Sequence, residues 1–259
     1  MLSIAPLGSR NPAERIGLFS GEKRMSSGRS KTSKGLMRGG LALLACTYVS
    51  SSFAEMTVIK GEGGAANATS ASVYFNAGVN DRSISSLLAA LTDISTKYPG
   101  IQNVNLYINS GGGSMEAGYV AYEFMRRYPL HVNAINTAFT DSAATLLYCA
   151  APSRYSEPLS SFLLHPAAVS VPLNGYLKPD QAKQAFEDAE RENLKFSEIY
   201  KGCLKLSPDD LTTLLSSESN RKRLGYEEAK KLGLITQERD QLPHTPDQAT
   251  YFITDGAGR

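Results

Sequence analysis

Apolar residues repeat along this chain at two alternating spacings. Between Ser83 and Tyr98 they fall on one helical face, and Pro99-Gly100 ends that pattern. Val104–Ile108 then alternates between apolar and polar residues, as a strand does. The same reasoning applied to the whole chain predicts strands at Ser72–Phe75, Val104–Ile108, His131–Ile135 and Phe162–His165, and helices at Ser83–Tyr98, Ala117–Arg127, Ser142–Ala151, Pro179–Tyr200, from Pro208 onwards and at Tyr226–Leu232.

This order of elements predicts an α/β fold with mostly parallel strands and right-handed crossovers. Functional residues are then expected in the loops at the carboxyl ends of the strands. We assign residues 72–236 to this domain. Residues 55–71 are rich in Gly, Ala, Asn and Thr and predict a flexible lead-in, and residues 237–259 predict a loose C-terminal tail.

Composition and charge narrow the class of protein. With 42% hydrophobic and 20% charged residues, the chain is neither disordered, nor collagen-like, nor a multi-span membrane protein. Residues 1–54 hold eight Lys/Arg and two Asp/Glu, a charge of +6, whereas the rest of the chain carries −4. The folded part is therefore mildly acidic, which argues against nucleic acid as a partner.

The basic N-terminal segment, residues 1–54, has the three-part layout of a secretory signal peptide. Basic residues from Arg29 to Arg38 precede the apolar run Gly39–Val49, and small residues lead to Ala54. The apolar run is shorter than the roughly 20 residues of a membrane span. We expect translation to start at Met25, cleavage to follow Ala54, and the protein to be periplasmic or secreted. A basic disordered tail is the alternative.

Three cysteines are too few for a disulfide scaffold. Leu43–Cys46 loosely resembles a lipobox, so an N-terminal membrane anchor or a lipid on Cys46 is an alternative to cleavage. Cys149 and Cys203 remain in the expected mature chain. An oxidising compartment would allow them to pair, but two buried free thiols are equally common, and the spacing does not decide between these states.

Three features follow predicted strands, where chemistry is expected. The run Gly111-Gly112-Gly113 allows backbone N–H groups to approach a phosphate or an oxyanion, or it is a plain tight turn; no P-loop lysine follows it. Ser142 starts a predicted helix and is either a nucleophile or a helix cap. His165 ends an apolar strand and is either a general base or a core histidine. Together they are the parts of an acyl-transfer site.

Four ordered segments carry a resemblance to a known family. Asn105–Ser114 is a strand followed by a glycine loop, Ala138–Leu147 contains Ser142, Ser161–Pro166 contains His165, and Glu227–Ile235 is a closing helix and turn. Taken together, they resemble the Clp protease proteolytic subunit (ClpP) family of the crotonase-like superfamily over residues 73–236. The resemblance implies a repeated ββα superhelix with mostly parallel strands and a projecting helix.

The resemblance also implies roles for individual residues. Ser142 falls on the catalytic serine and His165 on the catalytic histidine, and the backbone N–H groups of Gly113 and Ala143 would form the oxyanion hole. One departure is Gly111, where the family usually has Pro. No cofactor and no metal are expected.

Two further departures concern carboxylates. The family places the third triad member, an Asp, upstream of the closing glycine, at the position where this chain has Arg221. Glu218 is the nearest carboxylate and the candidate to hold the imidazole, with Asn220 as a neutral alternative; Asp209 and Asp210 are expected to be solvated helix caps. Asp141 directly precedes Ser142, where its charge would oppose an alkoxide or oxyanion.

The leading hypothesis is therefore an exported, divergent serine peptidase that hydrolyses peptides or unfolded proteins without ATP. We expect a homo-oligomer, and no ATPase partner if the protein is exported. The alternatives are a catalytically impaired oligomeric scaffold or binding protein, an acyl-CoA enzyme of the wider superfamily, and a Ser–Lys dyad using Lys178 or Lys183.

Overall fold

One sheet organises the part of the chain that the structure, a computed structural model, describes: residues 54–60, 68–171, 176–241 and 247–255. Its strands within these ranges are β1 (Ala54–Lys60), β2 (Ser70–Asn76), β3 (Asn103–Ser110), β4 (His131–Asp141), β5 (Ser153–Ser156), β6 (Ser161–Leu164), β7 (Lys222–Leu224) and β8 (Asp247–Asp255). Their order is β1-β8-β2-β3-β4-β6-β7, and β5 pairs with β4. Among the described strands, only the β1–β8 and β6–β7 pairs are antiparallel, and the other pairs are parallel. This confirms the predicted α/β fold with mostly parallel strands.

In the described part of the chain, six α-helices connect or flank these strands: α1 (Asp81–Lys97), α2 (Met115–Arg126), α3 (Ala144–Ala150), α4 (Pro179–Lys201), α5 (Pro208–Ser216) and α6 (Tyr226–Lys231). Local capping explains where several of them begin. Asn80 Oδ1 accepts the N–H groups of Arg82 and Ser83, at 3.0 and 3.1 Å, so α1 starts at Asp81. Ser207 Oγ accepts the N–H of Asp210 at 3.1 Å and starts α5 as predicted.

The core lies between the sheet and the helices. Alternate residues of the central strands, such as Phe75, Leu106 and Ile108, are fully buried with Leu87 and Leu91 of α1. Each such side chain contributes about 1.5–3 kcal/mol of burial free energy, so this layer fixes the strand ends that carry the candidate site.

Helix α4 is buried only near its C-terminal end, through Phe196 and Tyr200. Phe186 and Leu194 on the same helix are 62% and 70% exposed. This matches the predicted projecting helix.

The C-terminal tail predicted at 237–259 is wrong for Asp247–Asp255, which form β8 inside the sheet. Ala249, Tyr251 and Ile253 alternate along β8 and are buried, and Tyr251 O–H donates to Asp93 at 2.7 Å. The alternation was present in the sequence, but the polar residues around it obscured the strand.

The flexible lead-in predicted at 55–71 is also wrong in part, because β1 occupies residues 54–60 and β2 starts at Ser70. Residues 55–59 are all exposed, and the backbone ladder with β8 holds β1. Met56 and Val58 alternate with polar residues, but the Gly- and Ala-rich residues that follow favoured a flexible segment. The predictions on residues 1–53, including the start at Met25, the apolar run and the lipid on Cys46, lie outside the described residues. Within the described ranges, no helix has both the length and the apolar character needed to cross a membrane.

Candidate active site

Ser142 occupies a tight turn between β4 and α3. The strand runs to Asp141, and the helix begins only at Ala144, so the prediction that the helix starts at Ser142 is wrong by two residues. Ser142 has φ +55°, the only positive φ of a residue other than glycine in the described part of the chain. This conformation costs free energy in any residue other than glycine. It is found mainly at functional positions, including turns in which a nucleophile lies between a strand and a helix.

The backbone of this turn is anchored through its carbonyl group. Ser142 O accepts the N–H of Thr145 at 2.9 Å and the Thr145 hydroxyl at 2.6 Å. Because the Thr145 proton is used there, the Tyr200 hydroxyl, 2.7 Å away, must donate to Thr145 Oγ1. Burial raises the pKa of Tyr200 well above its ordinary value, so this donor stays protonated.

The glycine loop packs directly on the Ser142 turn. Gly112 and Gly113 have φ +88° and +145°, a region that favours glycine. A Cβ on Gly112 would lie 2.7 Å from Ser142 Cβ and 3.0 Å from Ala143 N, so the loop and the turn are in close contact.

The backbone N–H groups of Gly113 and Ala143 are the candidate oxyanion donors. Val79 N–H donates to Gly112 O at 2.8 Å, and Ser114 N–H donates to Val79 O at 2.7 Å, which forms a parallel bridge. In such a bridge the N–H of the middle residue, Gly113, faces away from Val79. Neither Gly113 N nor Ala143 N makes a hydrogen bond within the described residues. Ala143 directly follows Ser142, and Gly113 follows Gly112, which packs on the Ser142 turn.

His165 follows β6, which pairs with β4. Asp141 is opposite Leu163 in the parallel register, and Ser142 N–H donates to Leu163 O at 2.9 Å. Ser142 and His165 therefore follow neighbouring strand ends. No hydrogen bond joins their side chains among the residues described. Catalytic contacts are often longer without substrate, so the expected contact remains a prediction.

The His165 ring has a defined environment on its Nδ1 side. Nδ1 lies 2.7 Å from Pro166 O and 3.7 Å from Glu218 Oε2. A carbonyl oxygen only accepts, so Nδ1 carries the proton, and Nε2 of the neutral ring keeps the lone pair that a general base needs.

Glu218 lies in the 3₁₀ turn Glu218–Asn220 and faces both His165 and Arg221. Its Oε1 accepts from Arg221 Nη1 at 2.9 Å, so the arginine at the expected Asp position holds this carboxylate. The Asn220 amide instead donates to Thr213 O at 2.9 Å and Ser216 Oγ at 3.1 Å. Of the two candidates for the third position, Glu218 is the one near the imidazole.

The remaining candidates lie elsewhere. Asp210 accepts from the Ser207 hydroxyl at 2.6 Å and, with Asp209, lies in the first turn of α5, as the cap prediction required. Lys178 is the N-cap of α4, and Lys183 is 77% exposed and pairs with Glu187. Neither lysine has a hydrogen bond or ion pair to Ser142, which leaves the Ser–Lys dyad without support in the described residues.

The sequence pattern of the Clp protease family matches residues 65–239, more than half of the chain. This chain belongs to the Clp protease family. It is 30% identical over 105 residues to ATP-dependent Clp protease proteolytic subunit 1 of Chlamydia caviae, a match that covers 40% of this chain and 54% of the relative. The same protein of Chlamydia pneumoniae gives the same figures, so the chain spans about half the length of the curated relatives it matches.

A solved structure agrees with this Clp protease family assignment at the level of fold. A ClpP1 point mutant from Listeria monocytogenes superposes with a TM-score of 0.54 and 19% identity, over 66% of this chain and 94% of that one.

Two residues beside the candidate site of this Clp protease family member had no signal in the sequence. Asn193, on the charged helix α4, accepts the N–H of Ala167 at 2.7 Å and donates to Leu215 O at 3.0 Å. It thereby fixes the segment that follows His165. Arg223 pairs with Asp141 at 3.3 Å, so the charge expected to oppose the oxyanion has a counter-ion.

A cleft of about 640 Å³ adjoins the glycine loop. Gly113 and Glu116 line one side, and Val169 and Glu192 line the other. Another cleft, of about 650 Å³ between α1 and α2, includes Leu88 and Phe124 and none of the candidate site residues. Of the candidate site residues, the first cleft is lined by Gly113, whereas Ser142 and His165 are not among its lining residues.

Proposed function

We propose that this protein is an exported serine peptidase that hydrolyses peptides by acyl transfer, with Ser142 as nucleophile and without an ATPase partner. Membership of the Clp protease family supports a peptidase-like activity. The observation that carries the assignment is the left-handed turn at Ser142. This turn packs against Gly112, and it follows the strand that pairs with the strand preceding His165.

In the acylation step, Ser142 Oγ attacks the carbonyl carbon of the scissile peptide bond. His165 Nε2 takes the hydroxyl proton, while Nδ1–H stays on the Pro166 carbonyl. Negative charge moves to the carbonyl oxygen, and in this proposal the N–H groups of Gly113 and Ala143 stabilise it. The tetrahedral intermediate then expels the amine, which receives the proton from Nε2, and an acyl-Ser142 ester remains.

In the second step, deacylation, water takes the place of the amine and the proton transfers run in the reverse order. His165 Nε2 takes a proton from water, the hydroxide adds to the ester carbonyl, and the proton returns to Ser142 Oγ as the carboxylic acid leaves. Glu218, 3.7 Å from Nδ1, supports the imidazolium by its charge. The hydrogen bond that fixes the ring comes from the Pro166 backbone.

The pairing of Cys149 with Cys203 supports export. The two sulfurs form a disulfide between α3 and the turn after α4. Both cysteines are buried, at 7% and 4% exposure. Disulfides of this kind persist in oxidising compartments, and the signal-like pattern of residues 1–54 leads to the same compartment. A periplasm or extracellular medium supplies no ATP, so an ATP-driven partner has no role there.

We further propose a homo-oligomer, trimer or larger. The exposed Phe186 and Leu194 on α4 offer apolar area that a second copy could cover. Light scattering at micromolar concentration tests this, and a monomer would contradict it.

A fluorophosphonate probe tests the peptidase proposal most directly, because it labels an activated serine and ignores an inert one. Full-length protein should be labelled on Ser142, S142A should not be labelled, and only the labelled protein should cleave a fluorogenic peptide library. Fractionation with N-terminal sequencing tests export separately, and the mature chain should begin near Glu55. A cytosolic chain starting at Met1 would contradict export.

The second candidate is a non-catalytic oligomeric scaffold. The arginine at position 221 and the absence of a Ser142–His165 hydrogen bond in the described residues favour it. Complete failure of probe labelling in a folded, oligomeric sample would make it the leading interpretation.

A further inference from the structure

Asp141 and Arg223 lie in one row across three adjacent strands. Asp141 of β4 is opposite Leu163 of β6, and Leu163 is opposite Arg223 of β7. The guanidinium reaches back across the row: Nη2 lies 3.3 Å from Asp141 Oδ2, and Nη1 donates to Ser161 Oγ at 3.2 Å. Arg223 thus contacts the two strands that directly precede Ser142 and His165.

The carboxylate of Asp141 is in an unusual place. Asp141 is 9% exposed and directly precedes the candidate nucleophile. Its Oδ1 is buried and has no hydrogen-bond partner in the described structure, so the Arg223 contact is the main compensation for its charge. An uncompensated carboxylate here would oppose the negative charge that develops on Ser142 Oγ and on the substrate oxygen.

We propose that Arg223 is a positioning residue of the catalytic site, acting through Asp141: it neutralises this carboxylate and holds it away from His165, so that acylation of Ser142 can proceed. The inference rests on the proposed peptidase function. Arg223 touches neither Ser142 nor His165 in the described contacts, so its effect on the reaction passes through the Asp141 charge.

The geometry also separates two roles that the sequence left open for Asp141. Glu218 faces His165 Nδ1, whereas the bound oxygen of Asp141 faces Arg223. Asp141 is therefore not the carboxylate that orients the imidazole. Removal of the Asp141 carboxylate should therefore leave acylation of Ser142 intact, whereas removal of its counter-ion, Arg223, should slow acylation.

The test is a double-mutant cycle on the second-order rate constant of fluorophosphonate labelling, with the melting temperature of each variant measured alongside to show that the sample is folded. R223Q should label about tenfold more slowly than wild type, because the uncompensated Asp141 carboxylate opposes the negative charge that develops beside it. D141N and the double variant D141N/R223Q should both stay within about threefold of wild type. R127Q, which removes the exposed ion pair between Glu123 of α2 and Arg127 directly after that helix, is the matched control.

Rescue by D141N is the decisive observation, because a merely structural arginine would give losses that the second substitution does not restore. R223Q labelling at the wild-type rate, or a double variant as slow as R223Q, overturns the proposal while the peptidase function stands. An unlabelled wild type overturns both. Should R223Q fail to fold, R223H replaces it: its rate relative to wild type should fall as the imidazole loses its charge above about pH 6.5, and a constant ratio overturns the proposal.

Discussion

Gly112 packs against Ser142 so closely that a Cβ on the glycine would lie 2.7 Å from Ser142 Cβ and 2.7 Å from Asp141 O. The glycine loop after β3 and the nucleophile turn after β4 are therefore in direct contact. The turn carries a side-chain residue at φ +55°, a conformation that persists only when its surroundings enforce it. Contact with the loop is part of that enforcement, together with the Thr145 hydrogen bonds.

We expect Gly112→Ala to reduce peptidase activity and the rate of probe labelling by about 100-fold. The added methyl group would meet two backbone-fixed atoms at 2.7 Å, and φ +88° is itself unfavourable for alanine, so the loop must move away from Ser142. A displacement of the oxyanion donors by about 1 Å can reduce a rate about 100-fold. The measurement is kcat/KM on a fluorogenic peptide, with the melting temperature of each variant alongside.

Gly111→Ala is the matched control for that experiment. Position 111 does not have a positive φ, and the nearest atom to a Cβ there is Phe139 Cε2 at an ordinary 3.8 Å. This variant should keep activity within about threefold of wild type. Equal losses in both variants would mean that the loop as a whole, and not its fit to Ser142, limits the reaction.

A graded loss is expected across the three candidate catalytic side chains. Ser142→Ala should remove activity and labelling, and His165→Ala should do nearly the same because the two act as a unit. Glu218→Gln should cost less than the roughly 10⁴-fold loss seen when a triad carboxylate is removed, since Pro166 O and not Glu218 holds Nδ1–H. Steady-state kcat of each variant measures this order. A Glu218 loss as large as that of His165 would contradict the geometry.

The fold was predictable because its main elements have regular patterns. The β3 strand, α1 and α2 were placed to within about two residues, since their apolar periodicity and their stop signals agree. Strand β1 was missed because the Gly- and Ala-rich residues after it outweighed the alternation of Met56 and Val58, and β8 because its alternation was surrounded by polar residues.

Residue type and position in the sequence suggested the candidate nucleophile and base. The contacts that these residues and their neighbours make could not be predicted from the sequence. Nothing in the local pattern around Arg223 points to Asp141, which is 82 residues away in the chain. The partner of His165 Nδ1 is a backbone carbonyl. Because every residue has such a group, no residue type in the sequence could predict this contact. The left-handed turn at Ser142 was equally hidden, because propensity alone favours a helix start there.

Loss of the Cys149–Cys203 disulfide should destabilise the fold without breaking the site directly. The bond closes a segment with a sequence separation of 54 residues, and its removal should lower the free energy of unfolding by about 2–4 kcal/mol. Denaturant melts with and without reductant measure this loss, and the C149S/C203S double variant should be insensitive to reductant. Alkylation of both cysteines in freshly isolated, unreduced protein would contradict the pairing.

Arg154 joins the ends of several elements through backbone carbonyls alone. Its guanidinium donates to Leu234 O at 2.8 Å and to Ala151 O and Gly233 O at 3.1 Å. The residue is 8% exposed, and burial lowers the pKa of its side chain from the ordinary value. Within the described part of the chain no carboxylate forms an ion pair with it, so carbonyl dipoles replace its hydration.

We therefore expect Arg154→Met to be strongly destabilising. The substitution keeps much of the apolar stem but leaves buried carbonyl oxygens without donors at the end of α3 and in the turn after α6, which should cost about 2–4 kcal/mol. Urea denaturation followed by circular dichroism gives the free energy of unfolding. Arg126→Met, on the exposed end of α2, should change it by less than about 0.5 kcal/mol. If both variants unfold at the wild-type urea concentration, the carbonyl cluster around Arg154 does not stabilise the fold, and the C-terminal elements must be held by apolar packing alone.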